Sequence, residues 1–359
     1  IAEATLSHAC ADAIASTGLH SLDHDDVWRA GTLYSKAGAY RQALDCFLRT
    51  ADILIERGLF RDAGAALEAA RSLPQSGLPR LGIISRECEL AHGRGDLTHV
   101  LRITESLPAT PEDARTACED PTEWVLAVAQ RVDAVGKTMY SSRVDDSQLR
   151  LAVTSEDAHP SARHYAAFVG ARQAVWHEDS AALREYFEIG RADAARFGRS
   201  LASGFLEILF HAEAGSETDF LVAAERQREI EKFAAPFRRL QQSARFRSVG
   251  LRMHGLIDES ATVALRTFQS CEEQQQIELA SSCAEFLAFL YLDQENAEEG
   301  LRWAETGLVS GRDSTNALRT KGLKHARQRA LLQLGMAKDV VSQMSGSLDE
   351  VLSDRSRTR

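Results

Sequence analysis

The stretch VWRAGTLYSKAGAYRQALDCFLRT, residues 27–50, carries the pattern that decides the fold of this chain. Gly31 and Ala43 are small enough to let two helices approach closely. Gly38 marks the turn between the helices. Aromatic side chains are expected to fill the space beside the contact: Tyr34, Tyr40 and Phe47. The stretch therefore predicts two antiparallel helices joined by a short turn.

The same spacing returns further along the chain, which indicates a repeat array. It is seen again from Gly58 to Ala70, and a weaker copy begins at Gly95. In the second half, residues 187–205 and 268–286 are similar to each other and lie about two 40-residue periods apart. Residues 290–308 form a further degenerate copy. Because each repeat packs only on its neighbours, such an array can exceed the usual size of a single core.

The order of these residues resembles the tetratricopeptide motif, with Val27 and Thr50 as departures from it. No alternation of apolar and polar residues is long enough to predict a strand. We therefore predict an all-α fold, a tetratricopeptide-like α-solenoid of about eighteen antiparallel helices.

Two polar stretches interrupt the repeat pattern and suggest domain boundaries. Three prolines and four acidic residues fall within 108–121, and a second polar loop covers 154–162. The predicted organisation has N-terminal helical repeats in 1–108, an irregular connection with one long helix in 109–160, C-terminal helical repeats in 161–352 and a disordered tail in 353–359.

Composition limits the classes of function. The net charge of −10 argues against direct nucleic-acid contact by this segment, because phosphate binding needs an excess of Lys and Arg. The six cysteines form no CxxC pair, which predicts reduced thiols and a cytoplasmic location. No apolar run is long enough for a membrane span. The chain begins without Met and already in a helical pattern, so we expect it to be a segment of a longer protein.

Short motifs that suggest chemistry have simpler explanations. The GKT at 136–138 lacks the upstream glycine of a phosphate-binding loop, since Arg131 occupies that position. The HSLDHDD at 20–26 offers metal-ligand side chains in His20 and His24, but its aspartates fit a helix N-cap better. No nucleophile motif is present. We therefore predict no catalytic residue, no metal site and no cofactor.

Two basic helices in an acidic chain are the candidate binding surface. The first is predicted over 237–254, with Arg238, Arg245 and Arg252 at seven-residue intervals on one side, and the second covers the basic run 319–329. The predicted ligand- or partner-binding residues are Arg238, Arg239, Arg245, Arg247, Arg252, Lys324 and Arg327. The alternative is that both helices are solvated faces paired with acidic neighbours, among them Glu225, Glu229 and Glu231.

The segment AYRQALDCFLRTADILIERGLFRDA, residues 39–63, resembles the C-terminal sensor arrays of bacterial signal-transduction ATPases and ATP-dependent transcription activators. The resemblance implies a non-catalytic module that binds a protein, a peptide or a small-molecule inducer and regulates an ATPase elsewhere in the chain. A second resemblance is to the peptide-binding tetratricopeptide receptors of bacterial quorum systems. An α-helical enzyme remains an alternative only if the scattered His and acidic residues converge in space.

Overall fold

The computed structural model describes residues 2–16, 23–74, 79–117, 119–138, 146–197, 201–231, 237–274 and 276–341. Within these ranges the chain forms helices and no strand. The helices with defined bounds are α1 Ala2–Ala15, α2 His24–Lys36, α3 Tyr40–Glu56, α4 Phe60–Ser72, α5 Leu81–Arg94, α6 Leu97–Ile103, α7 Pro111–Thr116, α8 Pro121–Thr138, α9 Ser147–Val153, α10 Pro160–Trp176, α11 Ser180–Phe197, α12 Leu201–Ala214, α13 Glu217–Glu231, α14 Phe237–Met253, α15 Ile257–Glu273, α16 Ile277–Asp293, α17 Ala297–Ser310 and α18 Ala317–Gln333.

Most consecutive helices pack on one another as antiparallel pairs joined by short turns. The prediction of an all-α helical-repeat solenoid is thus confirmed.

One turn geometry recurs between paired helices. After α2, for example, the amide of Ala39 donates to the carbonyl of Tyr34 at 2.9 Å, and Gly38 has a φ of 78°. This is the pattern in which a residue with a left-handed backbone ends a helix and satisfies a free carbonyl. Equivalent positive-φ positions follow at Gly58, Gly95, Glu178, Gly255, Glu295 and Gly335. The repeated turn keeps successive helices antiparallel and close.

Side chains of the local sequence also fix where helices begin. Asp23 precedes α2 and accepts a hydrogen bond from the amide of His24 at 2.8 Å, so the predicted N-cap is confirmed. Before α7, Thr110 and Asp113 form a capping box, and Pro111 occupies the first helical position.

The pair α2 and α3 shows why small residues are needed inside a repeat. A Cβ atom on Gly31 would lie 2.9 Å from Cε1 of Phe47, which is closer than packed atoms approach. Ala43 is fully buried and Phe47 is 4% exposed, as predicted. Tyr40 differs from the prediction, because as the first residue of α3 it keeps 38% of its surface exposed. The aromatic filling of this repeat therefore comes from Tyr34 and Phe47.

The helices form two layers, and only one layer is continuous. The helices α3, α5, α8, α10, α12, α14, α16 and α18 each contact the next member of that series. No comparable contacts join the intervening helices to one another among the described residues. Since helices on the inside of a curve are closer together than those outside, we call the first set the inner layer. The curvature is the one expected of stacked helix pairs.

Inner helices that are one superhelical turn apart contact each other. Helix α3 contacts α14, α5 contacts α16 and α8 contacts α18, so one superhelical turn takes five inner helices. The amide of Thr315 donates to the carbonyl of Gly95 at 2.8 Å, and the hydroxyl of Thr315 accepts from the amide of Leu97 at 2.7 Å. We call this contact the closure. It joins the turn before α18 to the turn before α6.

The predicted long helix of the connection is α8, which lies in the inner layer between α5 and α10. The largest buried cluster extends from Leu81 through Trp124 to Phe205, and so runs across the predicted boundaries without interruption. The assignment of 1–108 and 161–352 as separate repeat units stays a prediction. The predicted tail 353–359 lies outside the described residues.

Candidate functional site

Charged side chains on the inner layer form three groups. The first two lie on neighbouring helices from α3 to α10, and the third lies on α14, α16 and α18. In the first group, Arg86 of α5 joins Asp52 of α3 to Glu123 of α8. Its Nε lies 2.8 Å from Oδ1 of Asp52, and its Nη1 lies 2.6 Å from Oε1 of Glu123. A second bond, from Nη2 to Oδ2 of Asp52 at 3.0 Å, makes that contact bidentate. One guanidinium therefore ties three consecutive inner helices together.

The first group lies on a surface that is enclosed by protein but still reached by water. Burial would lower the pKa of Arg86, but Asp52 and Glu123 outweigh it and raise that pKa. Burial also raises the pKa of Asp52 and of Glu123, against the effect of Arg86. Even so, Asp52 keeps 31% of its side-chain surface exposed. Side chains that are surrounded by protein and still partly exposed to water are expected on a concave face.

The second group surrounds Asp133 of α8, which is 3% exposed. It forms ion pairs with Arg172 of α10 and with Lys137, whose Nζ lies 3.0 Å from Oδ2 of Asp133. Burial opposes ionisation, but nearby positive charges, above all that of Arg172, hold the pKa of Asp133 well below its usual range. His92 of α5 lies 3.6 Å from the same carboxylate, and burial lowers its pKa to about 4. Its Nε2 bonds to the carbonyl of Gln130 at 3.0 Å.

The third group is built on one turn of α16. Arg245 of α14 donates from Nε to the carbonyl and hydroxyl of Ser282, at 3.3 and 3.2 Å. Its guanidinium lies 4.6 Å from the ring centroid of Phe286, and that of Arg252 lies 5.8 Å from the same centroid. On the other side of α16, Arg319 of α18 forms an ion pair with Glu285. The two basic helices predicted from the sequence thus flank one helix.

The predicted binding residues fall into different surroundings. Arg245 and Arg252 lie on the same side of α14, as their spacing indicates, and Arg252 forms an ion pair with Asp293. Arg247 is 9% exposed and has partners within the protein. The side chains of Arg238 and Arg239 lie outside the described residues.

On the second basic helix, the predicted residues are not the ones nearest the first. Lys324 is exposed, and Arg327 pairs with Glu305 of α17 at 3.3 Å. Two other residues of that run approach the first basic helix. Burial lowers the pKa of Arg245, and the nearby charge of Arg319 lowers it as well. Arg329 pairs with Asp293, which is also the partner of Arg252. The part of the predicted site that the structure brings together is therefore Arg245 and Arg252, with Arg319 beside them.

Sequence reasoning missed Arg86 and Arg172, although a signal for them exists. Both pair with a carboxylate one helix pair away, at separations of 34 residues for Asp52 and 39 residues for Asp133. Opposite charges separated by about one repeat thus mark neighbouring inner helices.

The other sequence motifs have structural roles. The GKT at 136–138 lies at the end of α8, where a helix leaves no loop to surround a phosphate. His24 is the first residue of α2, and its ring bonds to Asp23 at 2.8 Å; His20 lies outside the described residues. Among the described residues, no group of three His, Cys, Asp or Glu side chains is arranged to hold a metal ion.

Two cavities lie away from the charged groups. A cleft of about 530 Å³ lies beside the turn from α16 to α17 and the end of α18, and a cavity of about 40 Å³ lies between α8 and α11. None of the arginines of the three groups lines either cavity. Within the described ranges, no helix is both long enough and apolar enough to cross a bilayer.

Neither a comparison with known protein families nor one with curated protein sequences finds a match to this chain.

Proposed function

We propose that this chain is a non-catalytic binding and regulatory module that holds a protein, a peptide or a small inducer on its inner layer. The observation that carries the proposal is the set of charged side chains on the inner helices, some of which stay partly exposed. Asp52 keeps 31% of its side-chain surface exposed, and Arg252 keeps 32%. A helical-repeat surface of this kind offers repeated anchor points to an extended or helical ligand. Groups such as Asp52 and Arg86 are fixed by their ion pairs and are still partly exposed.

The closure supports a regulatory role. Because α18 contacts α8 and Thr315 bonds to Gly95, the two ends of the superhelical turn are in direct contact. A ligand on the inner layer would bias the balance between a closed and an opened turn if it bound the two differently. Such a change in shape is what a sensor segment transmits to the rest of a longer chain. We propose on this basis that the module belongs to a larger signalling or transcription-regulating protein.

The binding proposal is tested by a screen of peptides and metabolites for a rise in the melting temperature of the chain. A compound that stabilises the protein is then mapped by hydrogen exchange with mass spectrometry, which needs no substitution. Protection of α3, α5, α14 and α16 supports the proposal, whereas protection confined to outer helices such as α11 and α17 contradicts it. Recovery of the compound chemically altered after incubation would show an enzyme instead.

The regulatory proposal is tested on the complete coding sequence that contains these residues. An ATPase segment or a helix-turn-helix segment in the same chain supports it. A coding sequence that holds neither contradicts the sensor role and leaves the binding role in place.

A further inference from the structure

Arg245 is held in a fixed orientation but has no charge partner among the described residues. Its Nε is engaged by Ser282, and its guanidinium lies 4.6 Å from the centroid of the Phe286 ring. Among the described residues no carboxylate lies within ion-pair distance of Arg245, although Arg252 and Arg319 on either side have one each. Both terminal nitrogens of Arg245 are therefore oriented and unused by any carboxylate.

The surroundings of Arg245 disfavour its charged form when no anion is bound. Burial lowers the pKa of Arg245 to about 10, and the charges of Arg319 and Arg252 lower it as well. Arg245 keeps part of its side chain exposed, but its charge lies largely among protein atoms, where a counter-charge is normally present. The missing partner of Arg245 is thus a negative group that none of the described residues supplies.

The charge balance of the patch indicates how much negative charge is missing. Among the described residues, four guanidinium groups face three carboxylates around α16, which leaves one positive charge. The groups are Arg245, Arg252, Arg319 and Arg329 on one side and Glu278, Glu285 and Asp293 on the other. Arg172 also acts on Arg319, but it is paired with Asp133. A single negative charge suits a carboxylate better than a phosphate dianion. A carboxylate also matches the fork geometry of a guanidinium that is fixed in one plane.

We propose that Arg245, supported by Ser282 and Phe286 and flanked by Arg252 and Arg319, binds the carboxylate group of a small organic acid. This inference rests on the proposed binding function and gives its ligand a chemical class. Phe286 supplies an apolar surface beside the carboxylate, and Arg252 and Arg319 add positive potential while they remain paired with Asp293 and Glu285. The ligand enters from the solvent side, because Arg245 is only partly buried.

The test measures the melting temperature of the chain at constant ionic strength in five additives, one of which is inorganic phosphate. Butyrate at 20 mM, which carries one negative charge, is expected to raise the melting temperature by about 2 °C relative to chloride, the size of shift that a millimolar site gives a protein of this length. Butyramide, which has the same shape without the charge, is expected to give no rise. A tripeptide of alanine is added as the free acid and as the C-terminal amide. A rise with the free acid that exceeds the rise with butyrate would identify a peptide terminus as the source of the carboxylate.

Variants assign the effect to Arg245. Arg245→Gln is expected to abolish the rise with butyrate, and Arg245→Lys, which keeps the charge but loses the fork, is expected to weaken binding at least tenfold. The matched control Arg312→Gln removes an arginine that is 76% exposed and is expected to respond as the native chain does. Arg245→Gln without additive is expected to melt no lower than the native chain, because it removes a charge without a partner.

The assignment is overturned if neither butyrate nor the free tripeptide stabilises the native chain, if phosphate alone does, or if Arg245→Gln responds like the native chain. A ligand from the wider screen that binds Arg245→Gln and the native chain equally well also overturns this site. That last result would leave the proposed binding function standing, so the two proposals fail separately.

Discussion

Replacing Thr315 by valine is expected to loosen the closure while preserving the size and shape of the side chain. The hydroxyl of Thr315 accepts from the amides of Leu97 and Thr98 at 2.7 and 3.3 Å and donates to the carbonyl of Gly95 at 3.1 Å. It therefore caps the first turn of α6 from a position 218 residues further along the chain. Loss of a capping hydroxyl costs roughly 1 to 2 kcal/mol. The backbone bond from Thr315 to Gly95 remains in the variant, so the closure is weakened and not removed.

The effect is local and is best measured by native-state hydrogen exchange. A change of about 1 to 2 kcal/mol corresponds to a 5- to 30-fold faster exchange of the amides of Leu97 and Thr98. Amides in the turn before α18 are expected to accelerate with them if the closure opens as one unit. Thr306→Val is the matched control, because its exposed hydroxyl bonds only to the carbonyl of Arg302 within the same helix. Unchanged exchange at Leu97, or an equal effect in the control, would refute the role given to Thr315.

Three further predictions concern positions fixed by packing, backbone conformation and burial. Arg163→Met is expected to destabilise the chain by roughly 3 to 5 kcal/mol in chemical denaturation, because it removes the buried partner of the 4% exposed Asp193 and leaves only the exposed Arg196 at 3.7 Å; a second change, Asp193→Leu, should restore most of the loss. Gly255→Ala is expected to cost about 1 to 2 kcal/mol through its φ of 79° alone, since nothing lies within 4 Å of the added Cβ, and an unchanged melting temperature would contradict this. Burial lowers the pKa of His92 to about 4, so as the pH falls His92 is protonated in the unfolded chain before it is protonated in the folded chain. Stability should decline as pH falls from about 6.5 to 4, at up to about 1.4 kcal/mol per pH unit, and His92→Gln should flatten that part of the curve measured by urea unfolding.

Much of the local fold can be predicted from the sequence, because it depends on side chains that are neighbours in the chain. Gly31 and Ala43 predict a close helix contact, and the structure shows that Gly31 leaves room for Phe47. Gly38 predicts the end of a helix because a left-handed backbone is accessible to glycine. The equivalent turn after α10 cannot be predicted in this way, because its positive-φ residue is Glu178, with a φ of 55°, and not a glycine. The left-handed backbone at Glu178 follows from the turn geometry that the repeats share and not from the residue type.

The candidate site is less predictable, because it joins residues from different repeats. The spacing of Arg245 and Arg252 on one helix face was accessible to sequence analysis. Their distance from Arg319 depends on how α14, α16 and α18 pack, and a helical run of arginines does not show which member turns inward. Asp133 and Arg172 also required the structure, since neither stands out in its own helix.

The amino-acid sequence by itself determined that this chain forms antiparallel helix pairs, where many of those helices turn, and that two of the helices are basic. Helical periodicity, glycine at turns and polar caps act over a few residues, so they are expressed in the sequence directly. Only the tertiary structure decided that the inner layer closes after five inner helices and that Thr315 bonds to Gly95. It alone decided that Arg245 has no carboxylate partner within the part of the chain that the structure describes. The physical reason is that superhelical pitch is the sum of small rotations between successive helix pairs, and no single residue encodes that sum.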